Sequence, residues 1–200
     1  MASSSLTTAN TAGLARQSID EFCESLSSKQ PTPGGGASAA IGAAIGASTA
    51  SMAGAYTQRK KDEASGAADA ARTMISNMDI PSLLKMADDD VDAYQLLQST
   101  WKKDSGLTSE KIKEIESNAL HVPTVLMEAC HIRIIAIQQF LPKVNPNITS
   151  DAKAAIHQLA GSVRSAYQTV LVNSPSDEEK KRLMKLLREI QDIENELLGL

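Results

Sequence analysis

Four aspartates lie close together in one predicted helix, at Asp88, Asp89, Asp90 and Asp92. At about 100° per residue, the apolar residues of this helix form one stripe, made of Leu83, Ala87, Val91, Tyr94 and Trp101. Asp90 falls at the edge of that stripe, whereas Asp88 and Asp92 point to the opposite side. Burial raises the pKa of a carboxyl group, which suits general acid–base chemistry. The pattern therefore favours Asp90 as a functional acid and a solvated acidic face for Asp89 and Asp92.

A second candidate site is the glycine run Gly34-Gly35-Gly36, which follows Pro31-Thr32-Pro33. The prolines end the preceding element, and the glycines permit close approaches that a Cβ atom prevents. The residues that follow, to about Lys61, are mostly alanine, glycine and serine, and they predict a helix of little side-chain volume. Such a helix packs closely against other backbones or against a flat ligand. Its free N-terminal N–H groups suit an anion.

The remaining polar residues have simpler interpretations. Asp151 stands at a predicted helix start, where a cap or a helix-dipole partner is as well supported as a site residue. Asn173 stands at a predicted helix end, where it equally suits a cap or a site residue. The three histidines, His121, His131 and His157, have no metal-ligand spacing. We therefore expect no metal site and a structural role for the histidines.

Bulk properties limit the class of protein. The chain has 200 residues and a formal net charge of −4, which suits one domain with a core and gives no basic surface for nucleic acid. Cys23 and Cys130 are isolated, as expected for reduced core thiols of an intracellular protein. The small-residue helix is the one membrane candidate that the sequence suggests. It lacks Leu, Val and Phe, so we expect a buried helix and no membrane partner.

Helical periodicity covers most of the chain, and no segment alternates like a β-strand. We predict helices at residues 18–26, 35–61, 62–78, 83–101, 110–141, 151–173 and after Ser176, with a kink or a new start at Pro123. Residues 1–17 are predicted to form a flexible tail, and residues 18–200 a single domain. The predicted fold class is an all-α, up-and-down antiparallel helical bundle.

Three segments together resemble one family. They are the Pro31–Gly36 run with its small-residue helix; Asp88, Asp90, Ala93 and Tyr94, in a D-x-D-x-x-A-F/Y pattern; and Asn145, Asn147, Ser150 and Asp151, in an N-x-N-x-x-S-D-A pattern. The chain resembles the cyclodeaminase domain of formiminotransferase-cyclodeaminase and the bacterial methenyltetrahydrofolate cyclohydrolases of the same family. Asn173 also matches a family asparagine, whereas Trp101 stands near a position where the family usually has proline.

The resemblance implies a homodimeric, cytoplasmic enzyme that acts on a folate substrate without a metal or other cofactor. It gives Asp90 the catalytic role, with Asp88 supporting it. It assigns substrate binding to Gly34, Gly35, Gly36, Ser38, Arg59, Lys60, Lys61, Asn147 and Asp151. The three basic residues would hold the glutamate carboxylates of folate. The alternative is that they only stabilise the C-terminus of the small-residue helix.

Two reactions and one non-catalytic role stay open from the sequence. A cyclodeaminase closes 5-formiminotetrahydrofolate to 5,10-methenyltetrahydrofolate and releases ammonia. A cyclohydrolase opens the methenyl compound with water to give 10-formyltetrahydrofolate. The third possibility is a non-catalytic helical dimer of the same fold that binds folate or a protein partner. The polyglutamate preference and the helices of the dimer interface stay open as well.

Overall fold

The computed structural model describes residues 13–102 and 106–200, and within these ranges it contains helices and no β-strand. The α-helices are α1 (Ile19–Ser27), α2 (Gly35–Ala55), α3 (Lys60–Ser65), α4 (Ala67–Ser76), α5 (Ile80–Thr100), α6 (Ser109–Phe140), α7 (Thr149–Val172) and α8 (Asp177–Leu198). Short 3-10 turns span Leu14–Arg16, Leu141–Lys143 and Pro146–Ile148. The prediction of an all-helical bundle is confirmed.

The small-residue helix α2 forms the centre of the bundle, between α5 and α7. A Cβ atom on Gly42 would lie 3.0 Å from Ser162 Oγ, and one on Gly46 would lie 3.1 Å from Leu159 Cγ. The residue number rises from Gly42 to Gly46 on α2 while it falls from Ser162 to Leu159 on α7, so the two helices are antiparallel. The small side chains of α2 let the two backbones approach closely, which places many atoms in van der Waals contact.

The small-residue helix is shorter than predicted, because α2 ends at Ala55 and not near Lys61. Thr57 is fully buried after the helix end, and its hydroxyl donates to the Ala53 carbonyl at 2.9 Å. The same hydroxyl accepts the backbone N–H of Asn145 at 3.0 Å. These contacts turn the chain away from the α2 axis before Arg59 is reached.

The helix α6 passes through Pro123 without interruption, so the second alternative from the sequence, a new helix start at Pro123, is wrong. Proline has no N–H, so the carbonyl of Ala119 lacks its usual donor four residues on. The side-chain Nδ2 of Asn173 donates to that carbonyl at 2.9 Å. A distant residue thus replaces the missing backbone hydrogen bond.

Among the described residues, the segment long and apolar enough to cross a membrane is Ser109–Lys143, which contains α6, and not α2 as the sequence suggested. Its side chains Met127, Ile134 and Ile137 are fully buried inside the bundle. A core helix of a folded domain has the same composition, because it packs against neighbours on several sides.

Residues 13–17, which the sequence assigns to a tail, lie against α5. The 3-10 turn Leu14–Arg16 contacts this helix, and Leu14 packs on the hydrophobic core. Residues 1–12 of the predicted tail lie outside the described residues. The expectation for Cys23 was wrong: its side chain is exposed, whereas Cys130 is buried as expected.

The last helix, α8, is fixed to α7 by Glu194, which is buried. Its carboxylate accepts hydrogen bonds from Arg164 and from His157 Nδ1, the latter at 2.9 Å. Burial alone would raise the pKa of Glu194, but the hydrogen bonds from Arg164 and His157 outweigh burial and lower it. His157 therefore has the structural role that the sequence suggested.

Candidate active site

Asp90 of α5 lies against the first turn of α2, and Gly36 provides the space for it. A Cβ atom on Gly36 would lie 1.9 Å from Asp90 Oδ1, so no larger residue fits there without displacing the carboxyl group. The backbone N–H of Ala37 donates a hydrogen bond to the same carboxyl group. The N-cap residue of α2 is Gly34, which has no side chain to cap the helix. Asp90 therefore supplies the acceptor and the negative charge at this helix N-terminus.

Two opposing effects act on the pKa of Asp90. Burial is the larger one and raises the pKa, and the hydrogen bond from Ala37 lowers it, so that the pKa lies above the ordinary value of an aspartate. A carboxyl group in this environment exchanges protons at a less acidic pH than a solvated one. Asp90 is therefore suited both to stabilise a cation and to transfer a proton.

A cavity of about 470 Å³ opens beside the contact between Asp90 and Gly36. Its walls are the turn before α2, the second half of α5 and the end of α7, contributing Pro31, Thr32, Gly34, Gly35, Gly36, Asp90, Tyr94, Leu97, Trp101, Thr169, Val172 and Asn173. This volume is within the range of cavities that bind small organic ligands. The structure thus brings the glycine run and Asp90 together, although they are distant in sequence.

Two aromatic rings form one wall of the cavity. The centroids of Tyr94 and Trp101 are 6.1 Å apart, and their planes meet at 83° in an edge-to-face arrangement. The Trp101 side chain is exposed, and Tyr94 is partly so. Exposed ring faces offer apolar area and favourable electrostatics to a flat or cationic ligand. The sequence placed both rings in the apolar stripe of α5, and Tyr94 also in the D-x-D-x-x-A-F/Y pattern.

Asp88 does not line this cavity, although the resemblance gives it a supporting catalytic role. Its Oδ1 accepts the backbone N–H of Leu14 at 2.6 Å, and a Cβ atom on Gly13 would lie 2.3 Å from its Oδ2. Residues two positions apart on a helix differ by about 200° in direction. Asp88 therefore anchors the segment before α1, on the other side of α5 from the cavity.

Ser38 is also turned away from the cavity. It lies on the face of α2 that borders α1, in a separate groove of about 600 Å³. Gly34 and Gly35, by contrast, line the cavity, and a Cβ atom on either would meet no heavy atom within 4 Å. Within the glycine run, the close approach to Asp90 is thus made by Gly36.

Arg59, Lys60 and Lys61 lie at the opposite end of α2 from Asp90, about 30 Å away along a helix of this length. They follow the end of α2 and begin α3, so the interpretation as charges at the α2 C-terminus was wrong. Arg59 donates to Asp62 at 2.6 and 2.8 Å and to Asn145 Oδ1 at 2.8 Å. Lys60 and Lys61 are exposed.

Asn147 and Asp151 lie at this same end of the molecule. The backbone N–H of Asn147 donates to Asn145 Oδ1 at 3.2 Å, which closes the turn before α7. Asp151 stands in the first turn of α7, where a negative charge stabilises the helix. The structure of one chain therefore separates the predicted binding residues into two groups, one at each end of α2.

Asn173 is a cavity residue that the sequence analysis did not include among the site residues. It is the C-cap of α7, as expected, and it lines the wall beside Val172 and Trp101. Its amide nitrogen donates to the carbonyls of Ala119 and Thr169, each at 2.9 Å. The available signal was Pro123, because a proline inside a helix leaves a carbonyl that another group must satisfy.

No cluster of three or more His, Cys, Asp or Glu side chains that could hold a metal ion occurs in residues 13–102 and 106–200. His131 contacts Glu189 at 3.1 Å, and His121 borders a groove between α5 and α6. The chemistry of the cavity is therefore built from a carboxyl group, backbone amides, an amide side chain and two aromatic rings.

A family profile described as Formiminotransferase-cyclodeaminase matches residues 18–192. Methenyltetrahydrofolate cyclohydrolase of Methylorubrum extorquens is 28% identical over 184 residues, which cover 88% of this chain and 88% of that protein. The crystal structure of formiminotetrahydrofolate cyclodeaminase from Thermotoga maritima superposes with a TM-score of 0.69 at 22% identity, covering 88% of this chain and 89% of that one.

Fold and cavity together define a class of helical proteins in which a half-buried carboxyl group is set against the N-terminus of a glycine-rich central helix. The profile match covers most of the chain and includes the glycine run, the Asp90 helix and the Asn145–Asp151 segment. The chain belongs to the formiminotransferase-cyclodeaminase family, and the resemblance inferred from its sequence is confirmed.

Proposed function

We propose that this chain catalyses one-carbon chemistry on tetrahydrofolate at Asp90. The first candidate activity is that of a 5,10-methenyltetrahydrofolate cyclohydrolase. The observation that carries the proposal is the Asp90 carboxyl group, held against Gly36 and Ala37 in the wall of a cavity with two exposed aromatic rings. The cyclohydrolase reaction is favoured because the Methylorubrum relative carries that name and aligns over most of both chains.

The cyclodeaminase reaction is the second candidate, because the family profile is described by that activity. Both reactions use the same carbon, which bridges N5 and N10 of the folate, and both pass through a tetrahedral adduct at that carbon. One carboxyl group beside that carbon can serve either reaction. The reactions differ in whether water or ammonia is exchanged there.

In the cyclohydrolase reaction, the Asp90 carboxylate lies next to the positively charged N5–CH–N10 group and stabilises it. The oxygen of a water molecule bonds to the carbon, the π electrons of the C=N bond move onto nitrogen, and Asp90 takes the proton that the water loses. That proton passes to N5 as the N5–C bond breaks. The remaining hydroxyl proton leaves to solvent, so that a formyl group stays on N10 and one proton is released.

The other walls of the cavity hold the substrate in this proposal. Tyr94 and Trp101 present ring faces to the flat pterin or aminobenzoyl ring. Gly34 and Gly35 leave open space where a side chain would stand, which lets the ligand approach the free N–H groups of α2. The scheme uses no metal and no further cofactor.

We also propose that two copies of the chain associate through the open face of α2. Ile41, Ile45 and Met52 lie on this face, and Ile45 is 49% exposed. The groove beside it, between α1 and α2, is also lined by Ile19 and Phe22. A second copy of the same helix is the occupant that fits, because small residues permit close helix packing and the match is self-complementary.

An antiparallel pairing of two α2 helices would explain the separated binding residues. The C-terminal end of one helix would then stand beside the N-terminal end of the other. The partner subunit's Lys60 and the partner subunit's Lys61 would approach the glycine run and bind the glutamate carboxylates of the folate. Arg59 is less suited to this role, because Asp62 and Asn145 already accept its hydrogen bonds.

The direct test is optical. The purified chain is mixed with 5,10-methenyltetrahydrofolate, and the near-ultraviolet absorbance is followed against a control without protein. Accelerated loss of absorbance supports the cyclohydrolase. If absorbance instead appears from 5-formiminotetrahydrofolate and ammonia is released, the cyclodeaminase is correct. A folded chain that accelerates neither reaction refutes the proposed function and favours the non-catalytic folate-binding or protein-binding dimer.

A further inference from the structure

Asn173 borders the cavity, and hydrogen bonds fix the orientation of its side-chain amide. Its Nδ2 carries two protons, and both have acceptors, the Ala119 carbonyl of α6 and the Thr169 carbonyl of α7. A flip of the amide would set Oδ1 against those two carbonyl oxygens, which repel it. The orientation is therefore fixed, with Nδ2 toward the helices and Oδ1 as the remaining polar atom of the side chain.

That oxygen has no hydrogen-bond donor among residues 13–102 and 106–200. Asn173 borders both the cavity that contains Asp90 and a second cavity of about 640 Å³, and Trp101 also lines both. The cavity wall thus carries two acceptors, the charged Asp90 on α5 and the neutral Asn173 at the end of α7. A ligand that satisfies both must bring a positive group to one and an N–H donor to the other.

We propose that Asn173 Oδ1 accepts an N–H group of the pterin ring and so positions the substrate for reaction at Asp90; this inference rests on the proposed function. The reacting N5–CH–N10 group of methenyltetrahydrofolate cannot be that donor, since both nitrogens are bonded only to carbon. The pterin ring has N–H groups at the 2-amino position, at N3 and at N8. The two acceptors therefore have different roles: Asn173 positions the pterin ring, and Asp90 faces the carbon that reacts.

A simple Asn173→Ala change would mix two effects, because it also removes the donor of the Ala119 carbonyl. Replacement of Pro123 by alanine separates them. Alanine restores a backbone N–H at position 123, which satisfies the Ala119 carbonyl within α6. In the Pro123→Ala background, Asn173 is no longer needed for that bond, and its effect on the substrate can be measured alone.

The experiment compares Pro123→Ala with Pro123→Ala/Asn173→Ala by steady-state kinetics on 5,10-methenyltetrahydrofolate. We expect KM to rise about 3- to 10-fold in the double variant, as for the loss of one neutral hydrogen bond. We expect kcat to change less than about 2-fold, with the same urea midpoint in both variants. An unchanged KM, or a loss of kcat without a change in KM, overturns the inference.

Three substrate analogues provide a second readout that does not depend on stability. Each lacks one N–H group, through 2-desamino-2-methyl, N3-methyl or 8-deaza substitution. The analogue that lacks the contacted N–H is expected to bind the single and double variants equally well, while the other two retain the difference. If no analogue removes the difference, the inference is wrong. The same comparison uses the wild-type chain and Asn173→Ala if Pro123→Ala does not fold.

Failure of the proposed function gives a different result from failure of this inference. A wild-type chain that turns over neither methenyl- nor formiminotetrahydrofolate refutes the proposed function and, with it, the role of Asn173 in positioning. A wild-type chain that is active, with equal KM values in the two Pro123→Ala variants, refutes the Asn173 inference alone.

Discussion

Gly36 and Asp90 are in direct contact: a Cβ atom on Gly36 would lie 1.9 Å from Asp90 Oδ1. The contact joins the N-terminus of α2 to the middle of α5, so the carboxyl group that we assign to chemistry also fixes two helices of the core. The glycine and the acid are therefore expected to respond to mutation as a pair.

Replacement of Gly36 by alanine tests this relationship. We expect the variant to lose about 1–3 kcal/mol of unfolding free energy through overpacking. We also expect kcat to fall about 100-fold, because a displacement of about 1 Å is enough to misplace a catalytic group. Urea denaturation and the absorbance assay measure the two effects.

Gly35→Ala is the matched control, since a Cβ atom on Gly35 meets nothing within 4 Å. Alanine there is expected to leave stability equal or slightly higher, because it is favoured over glycine in a helix. If Gly36→Ala were as stable as Gly35→Ala and as active as the wild type, the close contact with Asp90 would not matter for function.

Asp88 is predicted to act on the chain before α1 and not on the reaction. Asp88→Asn weakens the acceptor of the Leu14 N–H, so we expect faster hydrogen exchange at Leu14 with kcat within about 2-fold of wild type. Asp89→Asn, which removes an exposed ion pair with Lys85, is the control and is expected to change neither quantity. A loss of kcat in Asp88→Asn comparable to that of an Asp90 variant would contradict this prediction and support a catalytic role for Asp88.

The ion pair at the start of α3 predicts a dependence of stability on acid pH. Hydrogen bonds from Arg59 lower the pKa of Asp62 from 3.8 to about 2. A carboxyl group whose pKa is lower in the folded state stabilises the fold above the unfolded pKa, and this contribution is lost as the pH falls from about 4 toward 2. We expect Asp62→Asn to flatten the pH dependence of the unfolding free energy in that window.

Asp192→Asn, at an exposed position of α8, is the control for Asp62→Asn and is expected to keep the wild-type pH dependence. Thermal unfolding at several values between pH 2 and pH 5 gives the comparison. Parallel curves for wild type and Asp62→Asn would show that the Arg59–Asp62 pair does not contribute to the acid stability of the chain.

The open face of α2 predicts the result of placing a charge there. We expect Ile45→Lys to reduce the solution mass from a dimer to a monomer, because a lysine buried in a close helix interface lacks a partner. Ile132→Lys, on the exposed side of α6 at 61% exposure, is expected to leave the mass unchanged. Light scattering after gel filtration measures the molar mass of each variant in solution. A wild-type monomer, or equal masses for the two variants, contradicts the proposed interface.

The parts of the site that were predictable from sequence are those set by local pattern. The spacing of apolar residues on α5 placed Asp90 at the edge of the core, and the structure shows it half-buried there. The glycine run predicted a helix start with free N–H groups, and α2 begins at Gly35. Both features follow from helix geometry and from the absence of a Cβ atom, and they need no knowledge of distant contacts.

The parts that were not predictable depend on contacts between distant residues. Helix periodicity directs Asp88 away from Asp90, but it does not identify its hydrogen-bond donor, Leu14, which lies 74 residues earlier. The end of α2 depends on contacts of Thr57 with the Asn145 turn. Asn173 reaches the Ala119 carbonyl across 54 positions. In each case the local sequence permits several partners, and the tertiary packing selects one.

Asp90→Asn is the most direct test of the account. Asparagine has nearly the same shape and retains an acceptor for the Ala37 N–H, so we expect a folded variant with an unchanged urea midpoint and retained folate binding. We expect kcat for 5,10-methenyltetrahydrofolate to fall about 100- to 10,000-fold, the usual contribution of a general acid–base group. A folded Asp90→Asn variant that opens the substrate at the wild-type rate would contradict the assignment of Asp90 and the proposed mechanism with it.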